Sequence, residues 1–263
     1  EFLCFAMSGI DAVMHLAAIA DVKGVLEKPQ YSESINVRGT INVLEAARAS
    51  EIKRVVYGGT TWVYSETESN NVDESTPLHA PSHFYTATKL AGEYYCQSYS
   101  KLYDLDVTVL RYGIPYGPRA RDGAVIPIFV KKALNGEPLT IEGDGSQFRK
   151  FVYVEDLAEG NVLALKSIAK NKTYNLDGIE KITIKEIAEM VRNIIGNVKI
   201  EYAPARTGDF SGKEVSSKRA EDELGWTPKT SFNEGLKKYI DWYIQRERKR
   251  EEDWKKLDDI LKK

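Results

Sequence analysis

Three short apolar runs constrain what this chain can fold into. They are Asp11-Ala-Val-Met-His-Leu-Ala-Ala18, Arg54-Val-Val-Tyr-Gly-Gly-Thr60 and Val107-Thr-Val-Leu110, the last leading into Arg111-Tyr-Gly-Ile-Pro-Tyr-Gly-Pro-Arg119. The first two end in small or hydroxylated residues. Helical stripes separate them: in residues 32–49, Ile35, Val37, Ile41, Leu44 and Ala47 recur at helical spacing. Strand signals alternating with helix signals predict a layered α/β fold with a mostly parallel sheet. Strands are expected at 10–17, 54–60 and 107–112. Ligands of such open sheets bind beyond the C-terminal strand ends.

Residues 65–83 are polar, contain Pro77 and Pro81, and read as a loop over an active site. A helix bearing Tyr85 and Lys89 is expected to run to about Leu102. Beyond residue 120 the pattern changes. Residues 125–134 read as a helix stopped by Asn135-Gly136, 139–142 as a strand, and Gly143-Asp-Gly145 as a turn. Residues 152–166 contain a helix. Thr183-Ile-Lys-Glu186 is a capping box before a helix at 184–195. The tail from Tyr239 to Lys263 is one long helical pattern, heavily charged from Arg246, with Trp254, Leu257 and Leu261 on one face.

The bulk numbers exclude some functions. The 263 residues carry a net charge of −2, so no global field recruits nucleic acid or an anionic membrane. No apolar run approaches the ~18 residues that span a bilayer, and no secretory signal is evident. The two cysteines, Cys4 and Cys96, fit a cytoplasmic pair of reduced thiols. His15, His79 and His83 are scattered, and no Cys/His cluster has metal spacing.

Chemistry concentrates in His83-Phe-Tyr-Thr-Ala-Thr-Lys-Leu-Ala-Gly-Glu93. Tyr85 and Lys89, four apart, share one helix face. A nearby ammonium stabilises the phenolate and brings its pKa toward the working range. The pair can therefore move a proton to and from a substrate hydroxyl. Taken alone, the spacing more often describes a solvated surface pair.

With the three apolar runs in order around it, this set resembles the extended short-chain dehydrogenase/reductase superfamily, in its nucleotide-sugar epimerase/dehydratase branch, from about Ile10 to about Trp242. The resemblance implies a Rossmann-like doubly wound parallel sheet with a smaller C-terminal substrate-binding lobe, and NAD as cofactor. It assigns residues 1–120 to a partial NAD-binding domain with returns from the later chain, 121–245 mainly to the substrate lobe, and 246–263 to a charged helix. The family's opening Gly-x-x-Gly-x-x-Gly turn and its ribose-binding acidic residue find no counterpart here. The chain enters the pattern at about the fourth strand, some ~50–60 residues or two βα units in, as expected of a fragment. In relatives the Tyr-x3-Lys helix and the long helix before it form a dimer contact, which implies a homodimer.

Residue by residue, the resemblance makes Tyr85 the catalytic acid/base. Lys89 tunes it and binds the nicotinamide ribose, and Thr60 relays between Tyr85 and the substrate oxygen. Leu16, Ala17, Ala18, Asn36 and Gly113, together with Tyr85 and Lys89, match cofactor positions. A nucleotide sugar carries two phosphates, which suit bidentate arginine. Arg149, in Gly143-Asp-Gly-Ser-Gln-Phe-Arg149, and Arg206, in Arg206-Thr-Gly-Asp209, match the diphosphate ligands. Asp209 and Arg119 join them as substrate-binding candidates. The chain departs from the family at Ile114, where a substrate-binding Asn is usual, and at Lys150, where Asp often follows the diphosphate Arg.

The dehydratases of this branch carry Thr-Asp-Glu at the strand end, and the decarboxylases usually keep the Glu. Here Thr60 is followed by Thr61-Trp62, and an indole and a hydroxyl cannot replace two carboxylates. The resemblance therefore implies an NAD-dependent nucleotide-sugar epimerase similar to UDP-glucose/UDP-galactose 4-epimerase. A nucleotide-sugar reductase, dehydrogenase or decarboxylase and a non-catalytic nucleotide- or partner-binding relic remain as alternatives.

Overall fold

The computed structural model describes residues 1–196, 198–205 and 212–261. In chain order the elements begin with α1 (Phe2–Ala6), β1 (Ala12–His15), α2 (Val22–Glu27), α3 (Pro29–Glu33), α4 (Gly39–Ala49), β2 (Arg54–Thr60), β3 (Asn71–Val72), α5 (Phe84–Tyr103) and β4 (Asp106–Tyr112). They continue with β5 (Ile114–Tyr116), α6 (Val125–Leu134), β6 (Leu139–Glu142), β7 (Phe148–Tyr153), α7 (Val154–Leu163) and β8 (Thr173–Leu176). Last come β9 (Lys181–Thr183), α8 (Ile184–Ile195), β10 (Ile200–Ala203), β11 (Glu214–Val215) and α9 (Phe232–Leu261). The chain divides into two compact units: 1–114 with 156–178 and 212–228, and 115–155 with 179–211 and 229–263.

The first unit is built on a parallel sheet in the order β1-β2-β4-β8. All seven residues of β2 are buried, as expected for a parallel strand covered on both faces. On one face Val55 and Tyr57 pack with Val107 and Val109 of β4 against Leu44 and Ala47 of α4 and Cys96 of α5. On the other face the Tyr112 hydroxyl donates to Asn161 Oδ1 of α7 at 2.7 Å. Trp226, 1% exposed, donates its indole N–H to the Asp156 carbonyl at 2.7 Å.

The elements depart from the sequence reading in physically readable ways. The helix expected at 32–49 is interrupted by a π-helical turn, Ser34–Arg38, between α3 and α4. Such a bulge redirects one side chain inward, and here that residue is Asn36. The 65–83 loop contains β3, which pairs in parallel with β11. Two residues give no periodicity to detect, and the partner lies over 140 positions away. Val152 and Tyr153, read with a helix, close β7, and the last helix starts at Phe232 rather than Tyr239.

The second unit holds the parallel pair β10-β6 and the sheet β5-β7-β9. Helix α8 opens on the expected capping box: the Thr183 hydroxyl accepts from Glu186 N–H at 3.1 Å, and Glu186 Oε2 accepts from Thr183 N–H at 2.7 Å. Helix α6 ends at Asn135, followed by Gly136 in the left-handed region (φ 72°).

Candidate active site

Thr60 is the last residue of β2. Its hydroxyl oxygen accepts the Trp62 N–H at 3.2 Å and caps a 3₁₀ turn, Thr61–Tyr64. Using a lone pair this way leaves the hydroxyl hydrogen for donation. Tyr85 stands half-buried in the first turn of α5, and Lys89 one turn on is 4% exposed. The Lys89 ammonium lies 4.4 Å from the centre of the Tyr57 ring. Burial lowers its pKa to about 8, while Glu93 and Cys96 pull the other way. This is no solvated surface pair.

Behind Lys89 runs a buried polar chain. Glu93, one turn further along α5, receives Arg111 of β4 through Nε at 3.2 Å and Nη2 at 2.8 Å. Burial pushes the Glu93 carboxyl up and Arg111 pulls it back; the two-nitrogen geometry is that of an ion pair. Arg111 Nη1 donates to the Tyr64 hydroxyl at 2.7 Å, and that hydroxyl donates to Asn175 Oδ1 at 2.9 Å. Asn175 is held in turn by the Ser216 carbonyl and the Glu74 carboxylate.

A second network fixes the end of β1. Asn36 Oδ1 accepts the Ile19 N–H at 2.7 Å, and Asn36 Nδ2 donates to the Ile19 carbonyl and to Thr88 Oγ1, each at 3.0 Å. One amide thus ties the segment just past Leu16, Ala17 and Ala18 to the residue before Lys89. The Thr40 hydroxyl donates to the Asn36 carbonyl at 2.6 Å, so at its 2.9 Å contact with His15 it accepts from Nε2–H. Burial, with Lys89 nearby, lowers the His15 pKa to about 4.

The C-terminal strand ends fit the nicotinamide half of a dinucleotide. Leu16 and Ala17 are exposed and Ala18 half-buried. Gly58 and Gly59 precede Thr60, and the backbone N–H of Gly113 is anchored on the Leu176 carbonyl at 2.8 Å. A Cβ on Gly113 would lie 2.1 Å from Asp177 Oδ1, so a larger residue there would displace the Asp177 side chain. Small residues, a buried ammonium and an adjacent phenol form a suitable donor set for a ribose and a carboxamide.

The remaining candidates belong to the second unit. Arg149 lies in β7 and donates Nη1 to the Phe148 carbonyl at 2.7 Å. Arg119 is exposed with a left-handed backbone, φ 68°. Arg206 and Asp209 lie outside the described residues. Among the described residues, no group of three or more His, Cys, Asp or Glu is placed to hold a metal ion. Cys4 and Cys96 are free thiols, and among the described residues no helix is long and apolar enough to cross a membrane.

Sequence reasoning missed Tyr57, Glu93, Arg111, Tyr64 and Asn175. A signal was available for two. Glu93 repeats the four-residue spacing from Lys89, and Arg111 is a charge directly after a buried strand run.

A four-stranded parallel sheet with a Thr, a Tyr and a buried Lys at its C-terminal end defines a short-chain dehydrogenase/reductase of the extended type. Residues 3–177 match the model of the NAD dependent epimerase/dehydratase family, and the chain belongs to that family. It is 35% identical over 240 residues to a putative UDP-glucose 4-epimerase of Methanocaldococcus jannaschii, covering 89% of this chain and 77% of that protein. The crystal structure of a Thermotoga maritima UDP-glucose 4-epimerase with UDP-glucose superposes with a TM-score of 0.88 at 29% identity, covering 94% of this chain and 82% of that one. A Bacillus cereus UDP-glucuronic acid 4-epimerase in complex with UDP-glucuronic acid and NAD gives 0.86 at 30% identity, covering 93% and 79%.

Proposed function

We propose that this protein is an NAD-dependent nucleotide-sugar 4-epimerase, with UDP-glucose and UDP-galactose as the pair to test first. The observation that carries this reading is Thr60 capping a turn whose next residues are Thr61 and Trp62, beside an α5 bearing Tyr85 and Lys89. That set supports reversible oxidation at a sugar carbon and offers no carboxylate at the two positions after Thr60 for water elimination. The Trp62 ring packs edge-on against His83 at 5.8 Å, two residues before Tyr85. An aromatic wall therefore stands where the dehydratase acids would be.

Bound NAD supplies the redox chemistry by accepting and returning a hydride. The protein's own residues handle the proton. Tyr85 takes it from the C4 hydroxyl as that carbon becomes a ketone, and returns it after the sugar has presented its other face. Lys89 stabilises the phenolate before it takes that proton and again once the proton has been returned. Thr60, with one lone pair committed to Trp62 N–H, donates its hydrogen to the sugar oxygen and keeps it aligned. We assign cofactor binding to the first unit through Leu16, Ala17, Ala18, Asn36, Lys89 and Gly113. To the second unit we assign the diphosphate, through Arg149, Arg119 and, by sequence pattern, Arg206 with Asp209.

We also infer a homodimer and a cytoplasmic location. Tyr94, Tyr95, Leu102 and Tyr103 are exposed on α5, an aromatic and apolar surface suited to helix pairing. Size-exclusion chromatography with light scattering tests the dimer.

The reaction test incubates the protein with UDP-glucose and catalytic NAD and follows the anomeric and H4 signals by NMR. UDP-galactose should appear without net reduction of the cofactor. Cofactor reduction matching turnover would make the protein a dehydrogenase, and a 4-keto-6-deoxy product would make it a dehydratase.

A further inference from the structure

Lys89 is held at both of its ends by one residue with no role in the site as read from the sequence. Tyr57, 0% exposed on β2, donates its hydroxyl to the Lys89 carbonyl at 3.1 Å. The face of the same ring meets the Lys89 ammonium at 4.4 Å. The ring can stand there because residue 92 is glycine. A Cβ on Gly92 would lie 2.2 Å from the Tyr57 hydroxyl oxygen and 2.6 Å from Cζ. The ring also lies 5.8 Å from the His15 ring, tilted by 45°.

We propose that Tyr57 is the positioning residue of the Tyr85/Lys89 pair: its ring is the platform for the Lys89 ammonium, and Gly92 is the socket that admits its hydroxyl. This rests on the reading above, in which Lys89 serves Tyr85. Glu93 is the only carboxylate one turn from Lys89, and Arg111 already occupies it. The ammonium therefore needs a second source of negative potential, and the π face of an aromatic ring supplies one where water is excluded. Burial holds the Tyr57 phenol far above its usual range, so it acts as a neutral ring.

The other titratable groups around Lys89 are Tyr85, its proposed partner one turn before it, Glu93 and Cys96 on the same helix, and His15 on β1, with Arg111 of β4 beyond Glu93. None of these is altered in Tyr57→Phe or Tyr57→Leu. The two variants separate the two contacts. Phe keeps the platform and loses the hydroxyl; Leu loses both.

The test labels lysine Cε with carbon-13 in the full chain and identifies the Lys89 signal by its loss in Lys89→Arg. In the unaltered protein the Lys89 ε-protons should show the upfield displacement of groups stacked over a ring. Tyr57→Phe should titrate as the parent does. Tyr57→Leu should lower the Lys89 midpoint by roughly one pH unit, the scale of a desolvated cation–π contact, and should move the kcat–pH profile with it. A Lys89 midpoint unchanged or raised in Tyr57→Leu, or no upfield displacement in the parent, overturns the proposal. Should the Leu variant not fold, Gly92→Ala, which displaces the ring, takes its place with the same expectation. If Lys89 responds as expected but the parent does not epimerise, the platform stands and the proposed function falls. If the parent epimerises and Lys89 ignores Tyr57, the function stands and the platform falls.

Discussion

At the scale of single residues, this site trades stability for reactivity. The unfolded chain holds the Lys89 proton up to pH 10.5 and the folded chain only to about 8. Stability gained from losing that proton therefore appears as pH rises from 8 to 10.5, and below pH 8 the buried charge costs its full amount. At 1.36 kcal/mol per unit this is roughly 3 kcal/mol at most. Lys89→Met should then raise the urea midpoint at pH 7, by about 1–3 kcal/mol in unfolding free energy, while abolishing turnover. Tyr85→Phe should lower kcat by about 10²–10⁴-fold with little change in stability, since Tyr85 is only half-buried. A lysine variant that is both inactive and destabilised would show that Lys89 is a structural residue. His15 carries the same sign in another window. Its pKa falls from 6.5 to about 4 on folding, so the unfolded chain binds the extra proton between those values. Acidification from pH 6.5 to 4 should remove up to about 3 kcal/mol. In His15→Gln, which keeps a donor toward Thr40, that slope should flatten in urea titrations at pH 7 and pH 5.

At the scale of elements, α5 and β4 are joined by the Glu93–Arg111 pair, whose side chains are 0% and 6% exposed. Removing one partner strands the other charge in the core, and Glu93→Ala should cost about 3–5 kcal/mol. Glu93→Gln, which keeps an acceptor but removes the charge, should cost less, and equal losses in thermal unfolding would mean that the charge alone joins them. This pair also marks where the sequence stops being legible. The strand at 54–60 and the helices 125–134 and 184–195 appear where their periodicity and end signals place them, because those signals are local. Tyr85 and Lys89 share a helix face for the same reason. The partners that decide how Lys89 behaves are not local. Tyr57 is 32 positions away and Arg111 lies 18 from Glu93, and they meet only because β2 and β4 are adjacent strands under α5. The π-turn at Ser34–Arg38 was hidden differently. The apolar spacing from Ile35 to Ala47 runs across it, so periodicity reads straight through, although in the fold Ile35 is exposed and Asn36 is the buried residue.

At the scale of the whole molecule, the proposed ligand assignments fall on different units. Lys89, Asn36 and Gly113 belong to the first unit, and Arg119 and Arg149 to the second. A charge-assisted hydrogen bond to phosphate is worth about 1.5–3 kcal/mol, or roughly 10- to 100-fold in affinity. Arg149→Ala should therefore weaken UDP binding by that factor in isothermal titration and leave the affinity for NAD within about twofold. Lys89→Met should do the reverse, since its ammonium lies some 4 Å from an aromatic ring of the first unit and is assigned to the nicotinamide ribose. The crossed pattern is the informative result, because a variant that merely loosened the fold would weaken both ligands together. Loss of NAD affinity in Arg149→Ala would remove that arginine from the diphosphate assignment. Unchanged UDP affinity in the same variant would move the diphosphate to Arg119 or to the Arg206 segment, and those two can be separated by repeating the titration with Arg119→Ala and Arg206→Ala.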